Sequence, residues 1–187
     1  MGQLGMTFKL THISATKDDF SGITEDESGQ LSIVREKPDI NMLLDYILKV
    51  GEDSKWDKRT VYYDPNYLND LKDRIEKTRS SLFLFKKGDE TVGFCQALES
   101  EGMSGHFNTK SGAVAAEIYK VGLFPEHCGK GLGNFYVSSV LAELFKENEI
   151  VYLNTRDTNK VNSVPFYERL GMKVIGEEDK SDDYIPE

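Results

Sequence analysis

Three glycines fall within five residues, Gly129-Lys130-Gly131-Leu132-Gly133, between two differently patterned segments. Before them, Ala113–Phe124 reads as a long strand; after them, Val137, Val140, Leu141, Leu144 and Phe145 recur at helical spacing. A chain with this junction has to turn the C-terminal end of a strand directly into a helix N-terminus. Glycine permits the positive φ of a tight turn and lets a ligand approach the main chain closely. The first helical turn offers N–H groups without intrahelical partners, and the helix dipole favours an anion there. The same residues also fit a tight turn that binds nothing. A P-loop is excluded because no Gly-Lys-Ser/Thr occurs at the junction. A Rossmann unit fits poorly, because the junction lies late in the chain, after hairpin strands rather than in a first βαβ unit.

The rest of the chain supplies the partners for that junction. Leu31–Lys37 reads as a short strand, and Asp39 caps a helix whose Ile40, Leu43, Leu44, Ile47 and Leu48 keep a 3.6-residue period up to Gly51. Asp64-Pro65 opens a second helix through Leu68, Leu71 and Ile75. Leu82–Lys87 and Thr91–Glu99 form a predicted hairpin around Gly88-Asp89, followed by a polar, glycine-containing stretch, Ser100–Gly112. After the glycine junction come a strand at Ile150–Asn154, a short helix at Ser163–Leu170 closed by Gly171, and a strand at Met172–Gly176. The order β-α-α-β-β-β-α-β-α-β is that of a mixed α/β layer fold. Residues 1–30 read as an N-terminal extension, with a strand candidate at Thr7–Ser14 and an acidic linker over 16–30 that holds one lysine against five acids. Residues 31–187 then form the domain, ending in an acidic tail from 177.

Composition removes several classes. The 187 residues carry 23 Lys and Arg against 32 Asp and Glu, a net charge of −9, which argues against a dedicated nucleic-acid binder. No apolar run approaches the ~18 residues of a membrane-spanning helix, so no membrane partner is expected. Met1–Gly5 lacks the basic and apolar regions of a secretory signal, and two cysteines, Cys95 and Cys128, make no disulfide framework. The expected location is the cytoplasm. Most of the acidity sits in the linker and the tail, so it says little about a substrate.

Two stretches resemble a known family. Leu123-x-Pro125-Glu126-x-x-Gly129-Lys130-Gly131-x-Gly133 is similar to the acyl-CoA loop of the GNAT superfamily of N-acetyltransferases, Gln/Arg-x-x-Gly-x-Gly/Ala. Asn162-Ser163-Val164-Pro165-Phe166-Tyr167-Glu168-Arg169-Leu170-Gly171-Met172 is similar to that family's second signature, Ala/Ser-x-x-Phe-Tyr-x-Lys/Arg-x-Gly-Phe. With the element order, the resemblance covers about residues 31–176. It implies a mixed, mostly antiparallel sheet flanked by helices, and acetyl-CoA as co-substrate. The implied reaction is direct acetyl transfer to a primary amine on a small molecule or peptide, in a ternary complex.

The resemblance also implies roles for individual residues. Backbone groups of Val121, Gly122 and Leu123 would bind pantetheine. Cys128, Gly129, Lys130, Gly131, Leu132 and Gly133 would take the pyrophosphate, with Asn162 also toward the cofactor. Tyr167 would be the general acid toward the CoA thiolate. Glu117 falls where many members carry a carboxylate proposed as base, and equally suits a cross-strand partner. Tyr119 shares its face if no bulge intervenes.

Two departures stand out. Cys128 replaces the Gln/Arg of the loop signature, which leaves a non-catalytic CoA-binding regulatory module as the alternative reading. The family's usual seventh strand has no counterpart after Gly176, and Thr7–Ser14 is a candidate to cover the exposed edge. His12, His106 and His127 show no metal-ligand spacing and read as surface residues, so no metal is expected. Trp56, among charged residues, reads as a partly buried anchor. A homodimer is compatible with all of this.

Overall fold

In the computed structural model, residues 7–51, 65–77, 79–101, 114–156 and 163–181 are described. Asp64, Trp56, His106, Asn162 and the Ser100–Gly112 stretch beyond Glu101 lie outside them. The elements are β1 (Thr7–Thr16), β2 (Leu31–Glu36), α1 (Ile40–Gly51), α2 (Pro65–Lys77), β3 (Arg79–Lys87), β4 (Glu90–Glu101), β5 (Val114–Leu123), α3 (Leu132–Leu144), β6 (Ile150–Arg156), α4 (Val164–Arg169) and β7 (Lys173–Ser181). They build one seven-stranded sheet in the order β2-β3-β4-β5-β6-β1-β7. Every neighbouring pair is antiparallel except β5 with β6.

Strand alternation sends two sets of side chains to opposite faces. Phe83, Phe85, Cys95, Ala97, Val151 and Leu153 pack with Tyr136, Val140 and Leu141 of α3. Leu82, Leu84 and Phe94 pack with Leu43 and Ile47 of α1 and Leu71 of α2. The helices on each side are fixed by local chemistry. Asp39 caps α1, its carboxylate accepting from the amide of Met42 at 2.9 Å. Tyr136 stacks on Phe85 at 4.7 Å between ring centres, and its hydroxyl donates to the Lys86 carbonyl at 2.8 Å, so α3 is pinned over β3.

The N-terminal strand is no appendage. β1 lies inside the sheet, paired with β6 from Leu10 opposite Arg156 to Thr16 opposite Ile150, and with β7 along its other side. Ile13 is fully buried. Sequence pattern gave the strand but not its neighbours, because pairing across 140 or so residues leaves no local trace. β7 also runs to Ser181, past the expected end at Gly176, so the start of the acidic tail is strand. Its carboxylates are tolerated because β7 is an edge strand, and they meet β1: Lys9 is 3.4 Å from Glu177 and His12 is 3.2 Å from Glu178.

The acidic linker is ordered as well. The Asp26 carboxylate accepts from the amide of Leu31 at 2.8 Å and the hydroxyl of Ser28 at 2.6 Å. Phe20 rests on Phe145 at 5.6 Å, and the amide of Thr24 donates to Ser138 Oγ at 2.9 Å. Asp19 pairs with Lys173 and accepts from Thr16, contacts that draw its carboxyl down to about 2.

This linker closes over Gly171, whose φ is +92° and where a Cβ would stand 1.9 Å from the Asp19 carbonyl oxygen. Gly171→Ala is therefore expected to destabilise the fold by at least about 2 kcal/mol, combining left-handed strain with a backbone clash. Gly29→Ala, at φ +64° but facing open space, should cost only about 1 kcal/mol. Urea unfolding of both variants checks this; equal losses would mean the linker does not press on Gly171.

Candidate active site

The site begins where two strands part. β5 and β6 pair at three positions only, Ala115 with Ile150, Ala116 with Val151 and Glu117 with Tyr152. Beyond these, β5 stays with β4 as far as Leu123 opposite Gly93, and β6 stays with β1. A bulge accompanies the separation. Gln96 faces Lys120 while Ala97 faces Ile118, so Tyr119 is the extra residue. The bulge shifts the alternation: Ala116 and Ile118 pack toward α3, and so do Val121 and Leu123 beyond it. Tyr119 itself packs on the α1 side. The strand's twist rises at such a point, which helps to carry β5 away from β6.

A cavity of about 370 Å³ fills the gap on the α3 side. Val121, Gly122 and Leu123 line it from the strand, and Cys128, Gly129, Gly131, Leu132 and Gly133 line it from the turn. Gly129 and Gly131 hold φ of +73° and +74°, and a Cβ on either would meet no atom within 4 Å. Gly131 is the N-cap of α3 and supplies no side-chain cap, so the first-turn amides have no intrahelical acceptor, and Leu132, Gly133 and Asn134 of that turn line the cavity. A helix start of this kind can take an anion.

The turn is braced from behind. Cys128 donates its amide to the Pro125 carbonyl at 3.2 Å, closing a 3-10 turn over Pro125–His127. Its thiol points back to the Phe124 carbonyl at 3.5 Å. Cys128 thus lines the cavity, but its amide is already used. Lys130 does not line the cavity; its ammonium donates to the Glu126 carbonyl at 2.8 Å. His127 is buried rather than on the surface, with Nε2 3.2 Å from Glu90. Lys49 bridges to Glu126 at 3.4 Å and lies 4.1 Å from the Phe124 ring centre.

Tyr167, on α4, lines this cavity and also a second one of about 280 Å³. Val121 is the other residue common to both. Burial, and secondarily the neighbouring Cys95 thiol, pushes the Tyr167 hydroxyl well above the ordinary phenol range, so it keeps its proton. Glu117 lies in the paired stretch of β5, 8% exposed, opposite Leu98 and Tyr152, and lines neither cavity. The cavity also takes in Phe85, Asn134, Phe166 and Arg169, which sequence reading did not assign. Arg169 carried a signal, since it occupies the Lys/Arg position of the second signature. Among the described residues no cluster of His, Cys, Asp or Glu could hold a metal ion, and no helix is long and apolar enough to cross a membrane.

Residues 48–172 match the sequence model of the acetyltransferase (GNAT) family. No curated protein sequence matches the chain. Among solved structures, a tandem GNAT protein from the clavulanic acid biosynthesis pathway superposes with a TM-score of 0.60 at 15% identity, over 94% of this chain and 52% of its own. A functionally unknown conserved protein from Staphylococcus epidermidis gives 0.57 at 12% identity, over 92% of this chain and 60% of its own. A transcriptional regulator from Bacillus halodurans gives 0.55 at 19% identity, over 76% of this chain and 93% of its own. At these identities the likeness is one of fold, and the chain spans only about half to three-fifths of the first two.

If the glycine turn binds the phosphates of CoA, a side chain at Gly131 would stand where they dock. Gly131→Val is expected to weaken CoA binding at least about tenfold, or ~1.4 kcal/mol, measured by calorimetry. An unchanged dissociation constant would remove the turn from the ligand site.

Proposed function

The chain belongs to the GNAT acetyltransferase family, and we propose that it moves the acetyl group of acetyl-CoA directly to a primary amine within a ternary complex. One observation carries the reading: two cavities meet at Val121 and Tyr167, where β5 and β6 have parted. A thioester entering from one side and an amine from the other would meet beside a protonated phenol.

The residues divide the work. The first-turn amides of α3 would hold the pyrophosphate, with Arg169 at the same cavity adding the cation that Cys128 does not supply. Peptide groups of β5 from Val121 to Leu123, with no strand partner on the β6 side, would bond the amide-bearing pantetheine arm. The amine nitrogen attacks the thioester carbonyl carbon, the C–S bond breaks, sulfur gains a proton and the nitrogen loses one. Tyr167 would donate to the leaving sulfur. Glu117 touches neither cavity, so a role as base requires a bridging water. Either a small molecule or a peptide could present the amine. The cytoplasm, where Cys95 and Cys128 stay free thiols, suits the reading.

Release of CoA thiol over a panel of amines tests the proposal. Amine-dependent release is expected; CoA binding without any release would favour a non-catalytic CoA-binding module. Tyr167→Phe should lower kcat on the order of 10²-fold with little change in KM for acetyl-CoA. Unchanged turnover would take Tyr167 out of the acid role.

A further inference from the structure

We infer that helix α1 sets the width of the first cavity from behind, with Val50 as the positioning residue. The inference rests on CoA occupying that cavity, and it concerns what holds the binding strand in place. Beyond Glu117, β5 has a strand on its β4 side only. A ladder on one flank resists separation in the plane of the sheet, because its hydrogen bonds lie in that plane. It resists a swing out of the plane far less. Packing on the two faces therefore decides where Val121–Leu123 comes to rest. One of those faces is the cavity, and the other meets α1.

Helix α1 grips that stretch at successive points. Gly122 stands so close to it that a Cβ would be 2.5 Å from Val50 Cγ1 and 3.0 Å from Val50 Cγ2. Tyr46, one turn earlier, holds its ring 5.5 Å from that of Phe124 and 5.7 Å from that of Phe94. Lys49 reaches Phe124 and Glu126, which lead into the glycine turn. Tyr119, at the other end, packs on the same apolar cluster as Val50. The ladder side leaves no slack either. Gly93 faces Leu123, and a Cβ on Gly93 would stand 2.5 Å from the Gly122 carbonyl oxygen. Val50 itself lines neither cavity, so any influence it has on a ligand passes through β5.

The direction of the effect follows from the two faces. A methyl group on Gly122 needs either a retreat of α1 or a movement of β5 toward α3, into the space the pantetheine arm would take. Retreat is costly, because α1 is anchored by the fully buried Leu43 and Ile47. Val50 gives little way by itself, since a β-branched side chain is stiff at χ1. Overpacking of this kind is relieved by backbone shifts. The peptide groups of Val121–Leu123 would then miss the positions from which they meet the amides of pantetheine.

Gly122→Ala, Val50→Ala and the two together test the inference, with CoA binding measured by calorimetry and stability by urea unfolding. Gly122→Ala should raise the dissociation constant for CoA about tenfold, the worth of one or two hydrogen bonds. Val50→Ala, which removes both methyls from the contact, should change it less than about threefold, and the double variant should return to the Val50→Ala value. A Gly122→Ala protein that loses stability yet binds CoA like the unaltered protein makes the contact one of packing alone and overturns the inference. So does a double variant that binds as weakly as Gly122→Ala, since the methyl then acts on the ligand without α1. Should Gly122→Ala fail to fold, Val50→Phe brings bulk to the same contact from the helix. Weaker CoA binding is then expected, and an unchanged constant overturns the inference. Absence of CoA binding by the unaltered protein is a different result: it defeats the CoA reading of the cavity itself, and the inference with it.

Discussion

Three residues of parallel pairing, Ala115–Glu117 against Ile150–Tyr152, are the whole main-chain link between the two halves of the sheet. A longer ladder would satisfy more backbone groups, yet it would close the gap in which both cavities lie. Leaving β5 without a strand on its β6 side from Ile118 onward has a cost, because buried peptide groups need partners. A ligand rich in amide groups can repay it at the moment of binding. The opening is thus an interrupted sheet, and the bulge at Tyr119 sits where the interruption begins.

An interrupted sheet needs other ties. β1 provides the first: placed between β6 and β7, it gives β6 a full antiparallel partner on the side away from the gap. The chain leaving β1 then crosses to the far edge of the sheet, where β2 pairs with β3. On the way it rests Phe20 on Phe145, bonds Thr24 to Ser138 of α3 and turns at Asp26. Helix α3 supplies the second tie, since Tyr136 and Val140 lie in a core shared by residues of β3, β4, β5 and β6. An acidic segment that looks like a solvated linker in sequence is a strap between the halves.

What was legible follows the range of the interactions. Asp39 caps α1 through its own amide neighbour, and the Gly129–Gly133 turn takes its shape from φ at two glycines, so both could be read locally. The apolar periods likewise gave each helix and strand in order, because a face is buried residue by residue. Non-local facts were not readable. Nothing in Thr7–Thr16 names Val151 or Val174 as a neighbour, nothing in Glu177–Asp179 says that β1 will extend a strand through them, and His127 reads as exposed until Glu90 is brought to it. The second cavity was missed for the same reason. Lys120 and Arg156 are 36 positions apart, and only the parting of their strands makes them face one site.

The environment of Tyr167 constrains how it can serve the reaction proposed for it. A thiol ordinarily titrates near ~8.5, below a phenol's ~10, and burial raises the Tyr167 hydroxyl further still. Full transfer of its proton to a free thiolate would therefore run uphill. In the proposed reaction its contribution would come earlier, as a hydrogen bond to sulfur while negative charge develops in a site of low polarity, where such a bond is worth more than in water. The proton that completes the thiol is then balanced by the one the attacking nitrogen gives up, and the phenol ends the cycle as it began. A high phenol pKa is an advantage in this role. It keeps the hydroxyl protonated throughout the neutral and mildly alkaline range, where more of the acceptor amine is neutral and able to attack.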